Sequence, residues 1–129
     1  VERAGFEKEL EPLCIREEVA VIPYYSLASG FLTGKYHGEA DLAKSPARSG
    51  NVKKYMNPRG LKVVDALDEV ASNLKVRPAS VALAWLIARP GVTAPIASAT
   101  SVEQLDDLVK AVELKLDPAA IKRLDDASA

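Results

Sequence analysis

Between Val19 and Tyr36 the chain reads VAVIPYYSLASGFLTGKY, and the second half of that run gathers groups suited to holding an anion. Tyr24 and Tyr25 offer aromatic faces, and Ser26 and Ser29 offer hydroxyls. Gly30 and Gly34 let backbone N–H groups approach a ligand closely. Lys35 adds one cation, a sensible neighbour for a phosphate. A second group follows at Ser98, Ala99, Thr100 and Ser101. Ser101 with Gln104 fits an S-x-x-Q capping box at the start of a helix. Free N–H groups and the positive end of the helix dipole make such a spot ready for a phosphate. An ordinary capped helix explains Ser101 and Gln104 equally well when they are taken alone.

The elements that must position these groups are short strands and amphipathic helices. Val19 to Ile22 is an apolar run of the kind buried in a parallel sheet, and Pro23 ends it. Ligands of α/β proteins bind beyond the carboxyl ends of such strands, which is where Tyr24 begins. Val92 to Ala97 reads as a second strand, with Ser98 just past its end. A first helix from about Phe6 to Glu17 carries Phe6, Leu10, Leu13 and Cys14 on one face, so Cys14 reads as a small core residue. Asn57 and Pro58 cap and open a helix to about Leu74, with Leu61, Val64, Leu67, Ala71 and Leu74 inward. Pro78 opens the next, Ala79 to Ala88, in which Trp85 reads as core. Ser101 to Val112 is expected to bury Leu105, Leu108, Val109 and Val112, and Asp117 with Pro118 opens a last helix with Ile121 and Leu124 apolar. The polar segment from His37 to Asn57 is expected to be a long loop. Around it Lys44, Arg48, Lys53, Lys54 and Arg59 outweigh Glu39 and Asp41. The total is one continuous α/β organisation over residues 1–129, about two strands and five helices.

Composition narrows the function classes. Seventeen basic and 18 acidic residues give a net charge of -1, which supplies no pull toward nucleic acid or an anionic membrane surface. No apolar stretch approaches the ~18 residues of a spanning helix, so the expectation is a cytoplasmic protein. The single cysteine makes no internal disulfide, and His37 has no ligand-spaced partner, so no metal site is expected. Neither a phosphate-binding GxxxxGK[ST] motif nor a G-x-S-x-G nucleophile is present, and no residue here is assigned a catalytic role.

Residues 23–36, PYYSLASGFLTGKY, closely resemble the seventh barrel strand and following loop of the aldo-keto reductases. ALAWLIAR at 82–89, then Pro90, Gly91 and Val92, and PIASATSVEQL at 95–105 are similar to that family's last helix, last strand and adenosine-side loop, in the same order. The resemblance implies the C-terminal part of a TIM (β/α)8 barrel, a fold that typically needs about 250 residues against the 129 here. It implies an NADP-dependent reductase of aldehydes or ketones whose catalytic Asp, Tyr, Lys and His lie on earlier strands. A missing N-terminal barrel segment, or another chain, would then cover the exposed strand edges. The 129 residues alone are expected to be marginally stable and without hydride transfer.

The same resemblance implies roles for individual positions. Tyr24 stacks on the nicotinamide; Tyr25, Ser26, Leu27, Ala28 and Ser29 lie along the pyrophosphate; Lys35 reaches toward the phosphates. Ser98, Ala99, Thr100 and Ser101 surround the 2′-phosphate of NADP, and Gln104 and Asp107 contact the adenosine half. Three departures stand out. Tyr25 and Ser26 replace a Ser-Pro pair, Leu108 replaces an asparagine, and Ser98 and Thr100 stand where a lysine or arginine is common. The last leaves NAD possible as the cofactor. The alternative reading is a nucleotide-binding regulatory or assembly subunit, or an inactive truncated relic.

Overall fold

The computed structural model describes residues 1–44 and 46–129, and the side chains of all of these except 44 and 46–49. Its centre is α3, Pro58–Leu74, which packs against α4, Pro78–Ile87, and α6, Pro118–Ser128; α4 in turn packs against α5, Val102–Glu113. α3 begins where Asn57 Oδ1 accepts a hydrogen bond from the Gly60 N–H at 2.9 Å, with Pro58 in the first turn. It stops at Lys75, whose left-handed conformation (φ 55°) turns its N–H back to the carbonyls of Ala71 and Ser72. Asp117 caps α6 in the same way, its Oδ1 accepting from the Ala120 N–H at 2.7 Å.

α3 buries Val63, Val64, Ala66, Leu67, Val70 and Ala71 against Phe31, Tyr36, Val52, Tyr55, Val81 and Leu124. Leu74, expected inward, lies in the last turn of α3 and is exposed. Trp85 is half-buried at the core's edge. Arg89 and Arg3 lie 4.5 and 5.5 Å from its ring centre, and its Nε1 donates to Asp125 Oδ1 at 2.9 Å.

Four expectations from the sequence are corrected. First, the described residues contain no β-strand, and the α-helices number six, with α1 at Glu11–Arg16 and α2 at Pro46–Lys53. Residues 19–23 and 92–97 nevertheless lie side by side and run parallel. Thr93 N–H donates to the Val21 carbonyl at 2.9 Å, and Ile96 N–H to that of Pro23 at 3.4 Å. In a regular parallel ladder the next two donors would be residues 23 and 95, and both are prolines without an N–H. The pairing survives and the ladder does not.

Second, the segment 37–57 is largely helical. A 3-10 helix spans Glu39–Lys44, and α2 follows. Val52 and Tyr55, three apart on one face, are buried, and Tyr55 stacks on Phe31 with ring centres 5.6 Å apart. The charges of Lys44 and Arg48 lie outside the described side chains. Third, α5 turns Leu105, Val109 and Val112 outward with Val102, and buries only Ala111. Fourth, the N-terminal helix is a π-helical turn, Phe6–Leu10, running into α1, and it leaves Leu10 and Leu13 exposed and Cys14 half-buried. Periodicity marks a face as apolar without showing that anything lies on it.

Gly60 is a steric keystone of this core. A Cβ there would stand 1.8 Å from the Tyr55 carbonyl oxygen and 3.3 Å from Phe31 Cε1. Since the first of these is backbone, Gly60→Ala is expected to cost about 2 kcal/mol or more. The denaturation midpoint checks this, and an unchanged midpoint would refute the close approach.

Candidate functional site

The first loop is built on strained backbone. Ala28, Ser29 and Gly30 take positive φ in succession, at 49°, 59° and 93°. For alanine and serine that conformation costs roughly 1–2 kcal/mol each. Three backbone bonds hold it: Ala28 N–H to the Tyr25 carbonyl at 2.9 Å, Gly30 N–H to Leu27 at 2.8 Å, and Leu32 N–H to Leu27 at 3.3 Å. Buried Phe31 and Leu32 anchor it from below. Runs of N–H groups in turns of this kind form concavities that suit anions.

At the loop's mouth Tyr24 is 75% exposed and meets Tyr25 edge to face at 4.8 Å. An exposed ring at the mouth of a groove is free to stack on a planar ligand. Ser26 is buried, and its hydroxyl donates to the Pro23 carbonyl at 2.9 Å. Its proton is committed to that carbonyl in this structure, and its lone pairs remain.

The loop ends at Gly34, whose φ of 82° favours glycine and where a Cβ would stand 2.6 Å from Pro78 Cγ. That close approach seats the Lys35 turn on the start of α4. Lys35 Nζ lies over the Tyr36 ring at 5.2 Å. His37 ties the same turn to α3: Nε2 is 3.0 Å from the Gly34 carbonyl, and Nδ1 is 3.4 Å from Asp68 Oδ2.

The second loop leads into α5. Ser101 Oγ accepts from the Gln104 N–H at 3.2 Å. Gln104 Oε1 returns to Thr100, accepting from its N–H at 3.0 Å and its hydroxyl at 3.1 Å. The reciprocal cap thus forms one residue earlier than the standard box, and it orders residues 100–104 as a unit. Ser80, fully buried on α4, donates to the Asp107 carbonyl at 2.7 Å and fixes α5 against α4. Arg77, immediately before α4, places Nε 3.1 Å from Asp107 Oδ2 and hydrogen-bonds Glu103 through its outer nitrogen.

Because the segments before them are paired, the two loops face each other across an open groove of about 760 Å³. It brings together Tyr24, Tyr25, Ser26, Leu27, Ser29 and Lys35 from one side with Ser98, Thr100, Gln104 and Asp107 from the other. Ala28 is buried beneath the first loop, and Ala99 and Ser101 do not line the groove. Arg77 does line it, and nothing in the sequence motifs pointed there. The available signal was an arginine before Pro78, at a helix cap where Ser, Thr, Asp or Asn is usual. A separate, mainly apolar cavity of about 390 Å³ lies between the N-terminal helix and the core, bordered by Phe6, Val21, Leu67 and Trp85. Among the described residues no cluster of three or more His, Cys, Asp or Glu could hold a metal ion, and no helix is long and apolar enough to cross a membrane.

A model described as the Aldo/keto reductase family matches residues 3–129. The chain belongs to the aldo/keto reductase family. Membership implies a (β/α)8 barrel for the complete domain. This aldo/keto reductase chain is 32% identical to an uncharacterized oxidoreductase, YrpG, of Bacillus subtilis, over 93% of its own length and 35% of the relative's. It is 31% identical to a putative voltage-gated potassium channel subunit beta of Schizosaccharomyces pombe, over 96% of the chain and 38% of that protein. It is 27% identical to yakc of the same yeast, an aldo-keto reductase whose name specifies NADP(+), over 98% of the chain and 40% of that protein. The chain therefore spans little more than a third of the length of the relatives it matches.

The burial of Asp68, which His37 contacts beneath the first loop of this aldo/keto reductase, makes its stability respond to pH. Burial pushes the Asp68 carboxyl above its ordinary value of 3.8, with Asp65 reinforcing the shift and His37 opposing it. A carboxyl raised on folding contributes stability below that ordinary value, and the contribution is lost as pH rises through the folded value. Asp68→Asn should flatten the stability profile from 3.8 upward, as read by denaturation midpoints across that range. Identical slopes in parent and variant would refute the burial effect.

Proposed function

We propose that this chain is the cofactor-holding part of an NADP-dependent aldo-keto reductase barrel, in which hydride passes between a nicotinamide and an aldehyde or ketone. The observation that carries the reading is the single groove into which both loops open, with an exposed aromatic at one end and a capped helix start at the other. A dinucleotide needs both ends at once, and the residues present fit it. When bound, the nicotinamide supplies the hydride. Tyr24 presents the flat face that fixes which side of the ring meets the substrate. Ser29, with the strained turn around it, and Lys35 line the middle of the groove, where a pyrophosphate would lie. Ser98, Thr100 and Gln104 border the adenosine end.

On this reading residues 1–129 are one portion of a single barrel domain, and the proton donor comes from strands outside them. Exposed Val19, Ile22 and Ile96 on the paired segments, and the outward face of α5, are surfaces that the rest of a barrel, or a second chain, would cover. A second reading is a nucleotide-binding subunit without turnover. It draws support from the relative named as a potassium channel subunit beta, and the presence or absence of hydride transfer in a longer polypeptide decides between the two.

The test is a titration of NADPH, with NADH in parallel, into the chain with and without upstream barrel sequence, followed by nicotinamide fluorescence. Binding is expected, and Tyr24→Ala should weaken it by up to about tenfold, the value of a lost stacking contact. No binding of either nucleotide in either form would refute the cofactor site.

A further inference from the structure

We propose that Arg77 is the residue by which this groove distinguishes a 2′-phosphorylated adenosine from an unphosphorylated one, with Glu103 as the counter-ion that the phosphate displaces. The inference rests on reading the groove as a dinucleotide site. Ser98 and Thr100, on the loop itself, bring hydroxyls and no charge, so a cation for a phosphate there must come from a neighbouring element.

Arg77 has that placement, and helix formation does not account for it. It occupies the cap position of α4, where a side-chain oxygen would accept a backbone N–H, and it makes no such bond. Arg77 instead lines the groove, and its side chain remains 58% exposed. Close contact of the Gly34 turn with Pro78, the next residue, puts this arginine at the junction of the two loops.

The two carboxylates on Arg77 are not equivalent. Asp107 is only 13% exposed, holds Nε at 3.1 Å, and also lies 3.8 Å from Lys110 Nζ. Its helix is pinned by the Ser80 bond, so it fixes the direction of the guanidinium. Glu103 is 72% exposed and sits in the first turn of α5 on a flexible stem. An exposed ion pair of this sort contributes little, whereas a phosphate offers two charges and an oxygen pair matched to the guanidinium fork. The start of α5 also favours an anion at that place. Glu103 therefore leaves when a phosphate arrives, and Asp107 keeps Arg77 aimed.

Adenosine 2′,5′-bisphosphate and 5′-AMP differ only in the 2′-phosphate, and calorimetric titration of both into the parent chain and two variants tests the proposal. Arg77→Thr restores a capping oxygen, so the fold is kept while the charge is removed. It should lose about tenfold or more of the bisphosphate affinity while 5′-AMP changes by less than about twofold. Glu103→Gln should tighten the bisphosphate alone. A merely structural salt bridge would move both ligands together, and equal losses, or an unchanged ratio in Arg77→Thr, would overturn the assignment of Arg77 while leaving the groove's reading intact. If neither the parent chain nor a form extended by upstream barrel sequence binds either ligand, the dinucleotide reading falls and this inference with it.

Discussion

Thr93 holds the site together. Its N–H donates to the Val21 carbonyl, and its side-chain oxygen accepts from the Val21 N–H at 3.0 Å, so one residue makes two of the three described bonds between the two segments that feed the loops. Prolines 23 and 95 remove the donors that would have extended this pairing into a ladder. The juxtaposition of the loops consequently rests on a single residue pair, with Ile96 adding one long bond beyond it. A second constraint is steric: the Gly34 turn lies directly on Pro78. It joins the first loop to α4, as the Ser80 bond joins α4 to α5. Through these contacts Lys35, Arg77 and Gln104 come to line one groove although they are far apart in sequence.

What was legible in the sequence follows from how far each signal reaches. Helix starts are local, and Asn57 with Pro58, Ser101 with Gln104 and Asp117 with Pro118 each gave a start that the structure reproduces with the capping bond in place. The two motif loops were legible as places rich in ligand-holding groups. Their being neighbours required two apolar runs to pair, which the run of residues 19–22 suggested. Other features depend on partners that a local pattern does not contain. Val109 and Val112 have helical spacing yet point outward, because spacing says nothing of what packs on a face. The burial of Val52 and Tyr55 was hidden by the polar residues around them. Arg77 was missed because its role comes from tertiary placement, although its misfit as a helix cap was visible in the sequence.

The strain in the first loop and the exposed apolar surface belong together physically. A chain that holds Ala28 and Ser29 in left-handed conformations needs compensation from elsewhere, and buried Phe31, Tyr36 and Tyr55 beneath the loop supply part of it. The outward apolar faces of α1 and α5 and the half-open paired segments supply none as they stand. Covering them would stabilise the whole without touching the groove.

The central claim is that both loops hold one dinucleotide between them. Amide hydrogen exchange, measured with and without saturating NADPH, tests it most directly. The account predicts slowed exchange in residues 24–35 and in residues 98–107 together, with little change on the far side of α3. Protection of one loop alone, or of neither, would contradict it.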